Sequence, residues 1–551
     1  MPSVALARTT LLLACALAAC APAGRAPETA PTPTQAPPTV VTVAPTVTVT
    51  PPQTSGPPRD WHLLDSADGF PGIGLRRAER ELLAGRQPRR QVLVAVIDGG
   101  IDTAHVDLRA NLWTNPKETP GNGADDDGDG LVDDSFGWNY IGGKDGRSID
   151  QETLEVTRLH ARCAARGSAK APSDTAAATC AKVEQEYAKA RSEAQRNLQQ
   201  YRELASSVDE VTRILRGALG GDSVTPARVR ALTSPQPMVQ QAREYYLNLV
   251  ANDITPQAIA DAVKETETQV KYGLDPAYNA RVIVGDDPEN LTQRTYGNRD
   301  VMGPDAKHGT HVSGIIGAVR NDTIGIDGIA SSVRLMMVRA VPNGDERDKD
   351  IANAIRFAVD HGAQIINMSF GKGWSPQKGA VDEAVRYADA KGVLMVHGAG
   401  NDGENLATSP SFPTPTYLDG TRAKNWIEVG ASSWQGGRAL AASFSNYGQQ
   451  QVDLFAPGVA ILSTVPGGYE RLDGTSMASP VVAGVAAMLM SYFPDLTAAD
   501  VKRILLASVT RYADQMVTRP GGQDQVKFGT LSATGGIVNA YGAVKMALEK
   551  Q

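Results

Sequence analysis

The sequence has no excess of positive charge. Its 551 residues carry 54 Lys and Arg against 61 Asp and Glu, a net charge of −7, so nothing marks it as a nucleic-acid binder. It has no membrane-spanning run at its start, because the apolar stretch Leu11 to Ala19 is too short and too early. Cysteine is scarce. Apart from Cys15 and Cys20 in that leading segment, only Cys163 and Cys180 occur. In an oxidising compartment those two are expected to pair as a disulfide. The zinc-peptidase helix pattern is also missing: His308 and His311 stand three residues apart with no Glu between them, where that chemistry needs His at i and i+4. What the chain does have is 42% hydrophobic residues, ample for a large core.

The N-terminus reads as a targeting segment. Arg8 precedes the apolar run, and Leu17-Ala18-Ala19-Cys20 resembles the bacterial lipobox. That resemblance implies removal of residues 1–19 and lipid attachment at Cys20. The protein is then exported and held at the bacterial cell envelope (outer membrane, cell surface or periplasm), touching the membrane only through its lipid. Residues 20–58 are rich in Ala, Pro and Thr, cannot bury a core, and are expected to form an extended tether reaching about 100 Å.

The chemistry concentrates in four segments. In Leu472-Asp473-Gly474-Thr475-Ser476-Met477-Ala478-Ser479-Pro480, a small-residue turn leads into the apolar run Val481 to Leu489. This predicts a buried helix with Ser476 at its start, where unpaired N–H groups and the positive dipole end face an incoming oxyanion. Alone, Ser476 reads better as a helix N-cap; the nucleophile reading wins because three other segments supply its partners. Val92-Leu93-Val94-Ala95-Val96-Ile97-Asp98-Gly99-Gly100 predicts a buried parallel strand ending in a carboxylate. His308-Gly309-Thr310-His311 opens a helix of small residues; His308 is a candidate base, and His311 reads as a packed histidine. Val393-Leu394-Met395-Val396-His397-Gly398-Ala399-Gly400-Asn401 is a second apolar strand, ending in an amide able to donate to an oxyanion.

The four segments, in this order, resemble the subtilisin-like serine peptidases (subtilases). The resemblance implies an α/β fold: three layers, with a mostly parallel central sheet flanked by helices. It implies a serine endopeptidase with Asp98 as orienting carboxylate, His308 as general base, Ser476 as nucleophile and Asn401 as oxyanion donor. It also implies that Ser369, Phe370, Gly371, Gly398, Ala399 and Gly400 edge the cleft for a peptide substrate. The apolar Phe370 favours an apolar residue near the cut. Gly99 stands where many relatives have a serine, and Val481 where many have a histidine; neither change removes a triad member. Competing readings are a catalytically dead peptide binder and a metal-dependent hydrolase using His308 and His311.

Two further segments depart from the minimal pattern. Asp125, Asp127 and Asp129 alternate with glycine turns, matching positions 1, 3 and 5 of an EF-hand loop, but position 12 is Phe136 and not the bidentate glutamate. A shortened Ca²⁺ loop closed by Asp133 or Asp134 is expected. Asp98 and His308 are 210 residues apart, far more than the family needs. The excess, residues 145–280, is rich in Ala, Glu, Gln, Lys and Arg and predicts a helical insertion between two parts of the catalytic domain, 59–144 and 281–551. The expected partners are protein or peptide substrates, and the chain is expected to be a monomer.

Overall fold

A computed structural model describes residues 56–166, 174–252 and 254–550; residues 1–19, Cys20 and most of the tether lie outside these. The strand Val92–Asp98 occupies the interior of a nine-stranded sheet. Its side chains alternate between faces, as a two-residue period requires. Val92, Val94 and Val96 enter the core on one face, and Ala95 and Ile97 enter the core on the other. Because both faces are covered, the strand is apolar throughout.

From one edge the sheet runs Gly137–Asn139, Val333–Arg339, Val92–Asp98, Ile365–Met368, Leu394–Gly398, Trp426–Ser432, Leu454–Pro457, Gly536–Ile537 and Thr510–Arg511. Every pairing is parallel except the last. This is the mostly parallel α/β sheet flanked by helices that the motifs imply. After Val92–Asp98 the chain fills the sheet on one side, then crosses to the other at Ile365–Met368. Ligands in open α/β sheets collect at the carboxyl ends of strands at such a switch. Register sets Ile97 opposite Met368 and Met368 opposite His397, which brings Asp98, Ser369 and Gly398 to one end of the sheet. Outside this sheet, Ile461–Val465 forms an antiparallel hairpin with Gly468–Leu472.

The helix Thr475–Tyr492 is buried along its length from Thr475 to Ser491. Its composition would suit a membrane, but 94% of it is covered by the rest of the protein, so it is a core helix. The region expected as an insertion is helical. Its elements are Glu155–Arg166, the 45-residue helix Asp174–Ala218, Pro226–Ala231, Pro237–Ala251 and Pro256–Thr268. Thr225 and Thr255 cap two of these helices by accepting the N–H groups of Arg228 and Ala258, each with Pro in the first turn. The helices Pro237–Ala251 and Pro256–Thr268 fold back along the long helix, which is about 70 Å from end to end. The Sγ atoms of Cys163 and Cys180 lie 2.06 Å apart and join the first two helices.

Leu489 is fully buried in the core helix. Leu489→Ala is expected to destabilise the protein by about 2–5 kcal/mol. Urea unfolding checks this, and a loss below about 1 kcal/mol would show that the helix is not packed as described.

Candidate active site

Asp98 ends the central strand and is buried. Its carboxylate oxygens lie 2.8 and 2.9 Å from His308 Nδ1, and Oδ1 also accepts the Gly99 N–H at 2.7 Å. The carboxylate, which lacks a neighbouring hydroxyl at position 99, is thus served by the backbone. Holding Nδ1 as the donor leaves the lone pair on Nε2. His308 Nε2 is buried and has no hydrogen-bond partner among the described residues. His308 is the second residue of the helix Lys307–Gly317, and Gly309 lets that helix come close. A Cβ at Gly309 would lie 2.2 Å from the Gly100 carbonyl oxygen and 3.2 Å from Asp98 Oδ1.

Ser476 stands in the first turn of the core helix. Its hydroxyl donates to the Ser369 carbonyl at 3.1 Å, so no Ser476–His308 hydrogen bond is formed. The Ser369 hydroxyl in turn donates to the Ser476 carbonyl at 3.0 Å. The cause lies one turn along: Pro480 has no N–H to give that carbonyl, which is therefore free for Ser369. Asn401 Oδ1 accepts the Thr475 N–H at 2.8 Å and the Thr475 hydroxyl at 3.0 Å. This fixes the amide and leaves Nδ2 directed away from Thr475. A carbon built on Gly474 would lie 3.5 Å from Ser476 N and 3.7 Å from Asn401 Nδ2, so a small space there is flanked by two N–H donors.

A cavity of about 470 Å³ opens beside Ser476 and Asn401. Ser369, Phe370, Gly371, Gly398 and Gly400 line it. Gly371 lets the backbone at Ser411 pack closely against it, since a Cβ there would lie 2.4 Å from Ser411 Oγ. Two expectations need correction. Ala399 does not line the cavity: its side chain is buried in a separate core, and its N–H and carbonyl are taken by Val429 and Asn446. Phe370 offers only its backbone. Its ring is buried in the core, edge-on to His397 at 6.3 Å, so it cannot select an apolar substrate residue. His311 is fully buried; its Nε2 lies 3.0 Å from the carbonyl oxygens of Ile461 and Glu470, and burial lowers its pKa to about 3. It is a packed neutral histidine.

Sequence reading missed His397. Both ring nitrogens face acceptors: Glu428 Oε1 at 2.8 Å and the Phe370 carbonyl at 2.8 Å. Burial opposes its charge, but the Glu428 carboxylate outweighs burial and raises the pKa above 6.5. The imidazolium thereby pins the carbonyl of a cavity-lining residue. Its partner Glu428 sits opposite it on the adjacent strand, 31 residues further along the chain, so nothing local in the sequence connects them.

The acidic loop brings two groups of ligand atoms together, each within 4.8 Å: Glu118, Asp125 and Asp127, and Asp127, Asp129 and His361. Asp129 is pushed up to about 6 by burial and by the charges of Asp134 and Asp127. Glu118 Oε2 is buried without a hydrogen-bond partner, whereas Asp134 Oδ2 lies 3.2 Å from His361 Nε2. A buried carboxylate oxygen left unpaired among the acids of this loop fits a hard cation. Asp133 is corrected out of this set. Its oxygens accept the N–H groups of Gly121, Asn122 and Gly123 and pair with Arg299. Glu118 and His361 join the loop from beyond the motif and carried no signal in it.

The chain belongs to the subtilase family, whose sequence profile matches residues 89–523. Among its relatives, the thermophilic serine proteinase of Bacillus sp. (strain AK1) is 40% identical over 241 residues, 43% of this chain and 54% of that protein. Subtilisin NAT of Bacillus subtilis subsp. natto is 39% identical over 209 residues, 37% of this chain and 51% of that protein. The chain thus spans about half the length of these relatives. Among solved structures, a cold adapted subtilisin-like serine proteinase is 28% identical and aligns over 43% of this chain and 77% of that one, with a TM-score of 0.33.

A raised histidine pKa stabilises the fold fully below the unfolded value of about 6.5, and this contribution is lost as pH rises through the folded value. The melting temperature lost in Glu428→Gln should therefore be larger at pH 6 than at pH 9. Thermal melts across that range check it, and a pH-independent difference would refute the His397–Glu428 charge pair.

Proposed function

We propose that this subtilase is an exported serine endopeptidase of the cell envelope, acting on protein or peptide substrates through Asp98, His308 and Ser476. The observation that carries this reading is the Asp98 carboxylate held against His308 Nδ1 at 2.8 and 2.9 Å, with Nε2 left unpartnered. Rotation of the Ser476 side chain away from the Ser369 carbonyl presents its hydroxyl to Nε2. His308 takes the proton as Oγ attacks the substrate carbonyl, and Asp98 stabilises the imidazolium that forms. The negative oxygen of the tetrahedral intermediate settles between the Ser476 N–H and Asn401 Nδ2. His308 then gives its proton to the leaving amine, and water repeats the sequence in reverse to free the acid. The lipobox at Cys20 supports anchoring by a lipid.

The acidic loop is read as a structural Ca²⁺ site, with Asp125, Asp127 and Asp129 joined by Glu118. Its position in a loop away from Ser476 gives it a stabilising role and no step in the chemistry.

Labelling with a fluorophosphonate, read by peptide mass spectrometry, should place a phosphonyl group on Ser476 in the wild type and none in Ser476→Ala. A folded wild type that takes no label would overturn the reading. Asn401→Ala should lower kcat by about 10²–10³ with a smaller change in KM. Chelation of Ca²⁺ should lower Tm, and an unchanged Tm in chelator would remove the cation site.

A further inference from the structure

The cavity beside Ser476 is walled by polar groups. Gly371, Gly398 and Gly400 give it space, Ser409, Ser411 and Asn446 give it hydroxyls and an amide, and Phe370 turns its ring away. An apolar substrate side chain entering it would lie against groups that lose water without gaining a partner. Its charged residues are Asp345, Lys372, Asp402 and Glu404. Their charges do not cancel.

Lys372 is already satisfied. Its Nζ lies 3.0 Å from Glu155 Oε2 and 2.9 Å from Asp348 Oδ1, and it donates to the Glu346 carbonyl at 2.7 Å. Glu155 comes from the first helix of the insertion, and its charge is held in place by Arg158 as well as Lys372. Glu155 of the insertion and Asp348 of the catalytic part together neutralise this cation of the cavity wall. Asp345 is occupied too, since it accepts the Glu155 N–H at 2.7 Å. Asp402 and Glu404 have no cationic partner within 4 Å among the described residues. They stand two residues apart at the exposed rim of the cavity, where their like charges repel one another. A cation seated near both would relieve that repulsion.

We propose that this cavity takes a lysine or arginine side chain of the substrate, on the acyl side of the cleaved bond, and that Glu155 of the insertion secures this preference by masking Lys372. The proposal rests on Ser476 being the nucleophile. Asp402 and Glu404 are specificity-determining residues, and Glu155 acts on the substrate only through Lys372. Because Asp402 and Glu404 are exposed, their attraction is screened by salt.

The test uses the full chain and a peptide series varied only at that position: Lys, Arg, Phe and Glu. The wild type should show kcat/KM for Lys and Arg above Phe by about tenfold or more at low salt, with the excess shrinking as salt rises. In Asp402→Asn/Glu404→Gln the Lys-to-Phe ratio should fall to about one. In Glu155→Gln the Lys-to-Glu ratio should fall by about threefold or more as Lys372 is unmasked. Faster cleavage after Phe than after Lys or Arg in the wild type overturns the proposal while leaving the peptidase reading intact. So does a Lys excess that survives the double substitution. An unchanged Lys-to-Glu ratio in folded Glu155→Gln overturns the masking role. If no peptide is cut and Ser476 takes no fluorophosphonate, the peptidase reading falls and the proposal with it.

Discussion

One exchange of hydrogen bonds holds the site together. The Ser369 and Ser476 residues each donate a hydroxyl to the other's carbonyl, at 3.0 and 3.1 Å. The exchange exists because Pro480 leaves the Ser476 carbonyl without its helical partner. It welds the end of the strand Ile365–Met368 to the first turn of the core helix. Ser479 and Asn367 extend it: the Ser479 hydroxyl lies 2.8 Å from that of Ser369, and Asn367 donates to Ser369 at 2.9 Å. A proline inside a helix ordinarily costs about 3 kcal/mol. Here the freed acceptor is used at once, so strand end and helix start are positioned by the same defect.

Much of this was legible in the chain. The apolar runs ending in Asp98 and Asn401 predict parallel strands with polar groups at their tips, because a strand buried on both faces must be apolar until it reaches water. The core helix after Ser476 was legible for the same reason. What the residues concealed is which way a side chain turns. The apolar Phe370 suggests selection of an apolar substrate residue, yet although Phe370 lines the cavity its ring is buried in the core. Ala399 fails likewise between Gly398 and Gly400. Asp133 could not be told from Asp134 within a run of acids, since Arg299, its partner, lies 166 residues away. Long-range ion pairs leave no local pattern, so the Glu155–Lys372 and His397–Glu428 contacts were invisible.

The insertion is built into the catalytic part through buried charge. Arg158 reaches Glu152 and Glu155, and Glu152 also pairs with Arg347. Trp374, just beyond the cavity wall, donates to Glu186 on the long helix at 2.7 Å and lies under Lys182. Removing one partner from a buried ion pair leaves an uncompensated charge that costs about 3–5 kcal/mol. Such a joint tolerates few substitutions and resists hinging, so the near end of the insertion is held rigidly against the catalytic part.

The 45-residue helix carries a different consequence at its far end. Beyond Leu204 its apolar residues pack with the helices Pro237–Ala251 and Pro256–Thr268 into two small clusters of their own, which share no residue with the clusters around the sheet. Each contains only three or four buried residues. Cooperative unfolding follows shared burial. The distal insertion is therefore a separate folding unit, coupled to the catalytic part through the long helix and through Pro256–Thr268, which runs on into Gln269–Gly273. Clusters this small let the tip open while the sheet and its helices stay packed, so the unfolding free energy of the sheet does not describe the tip.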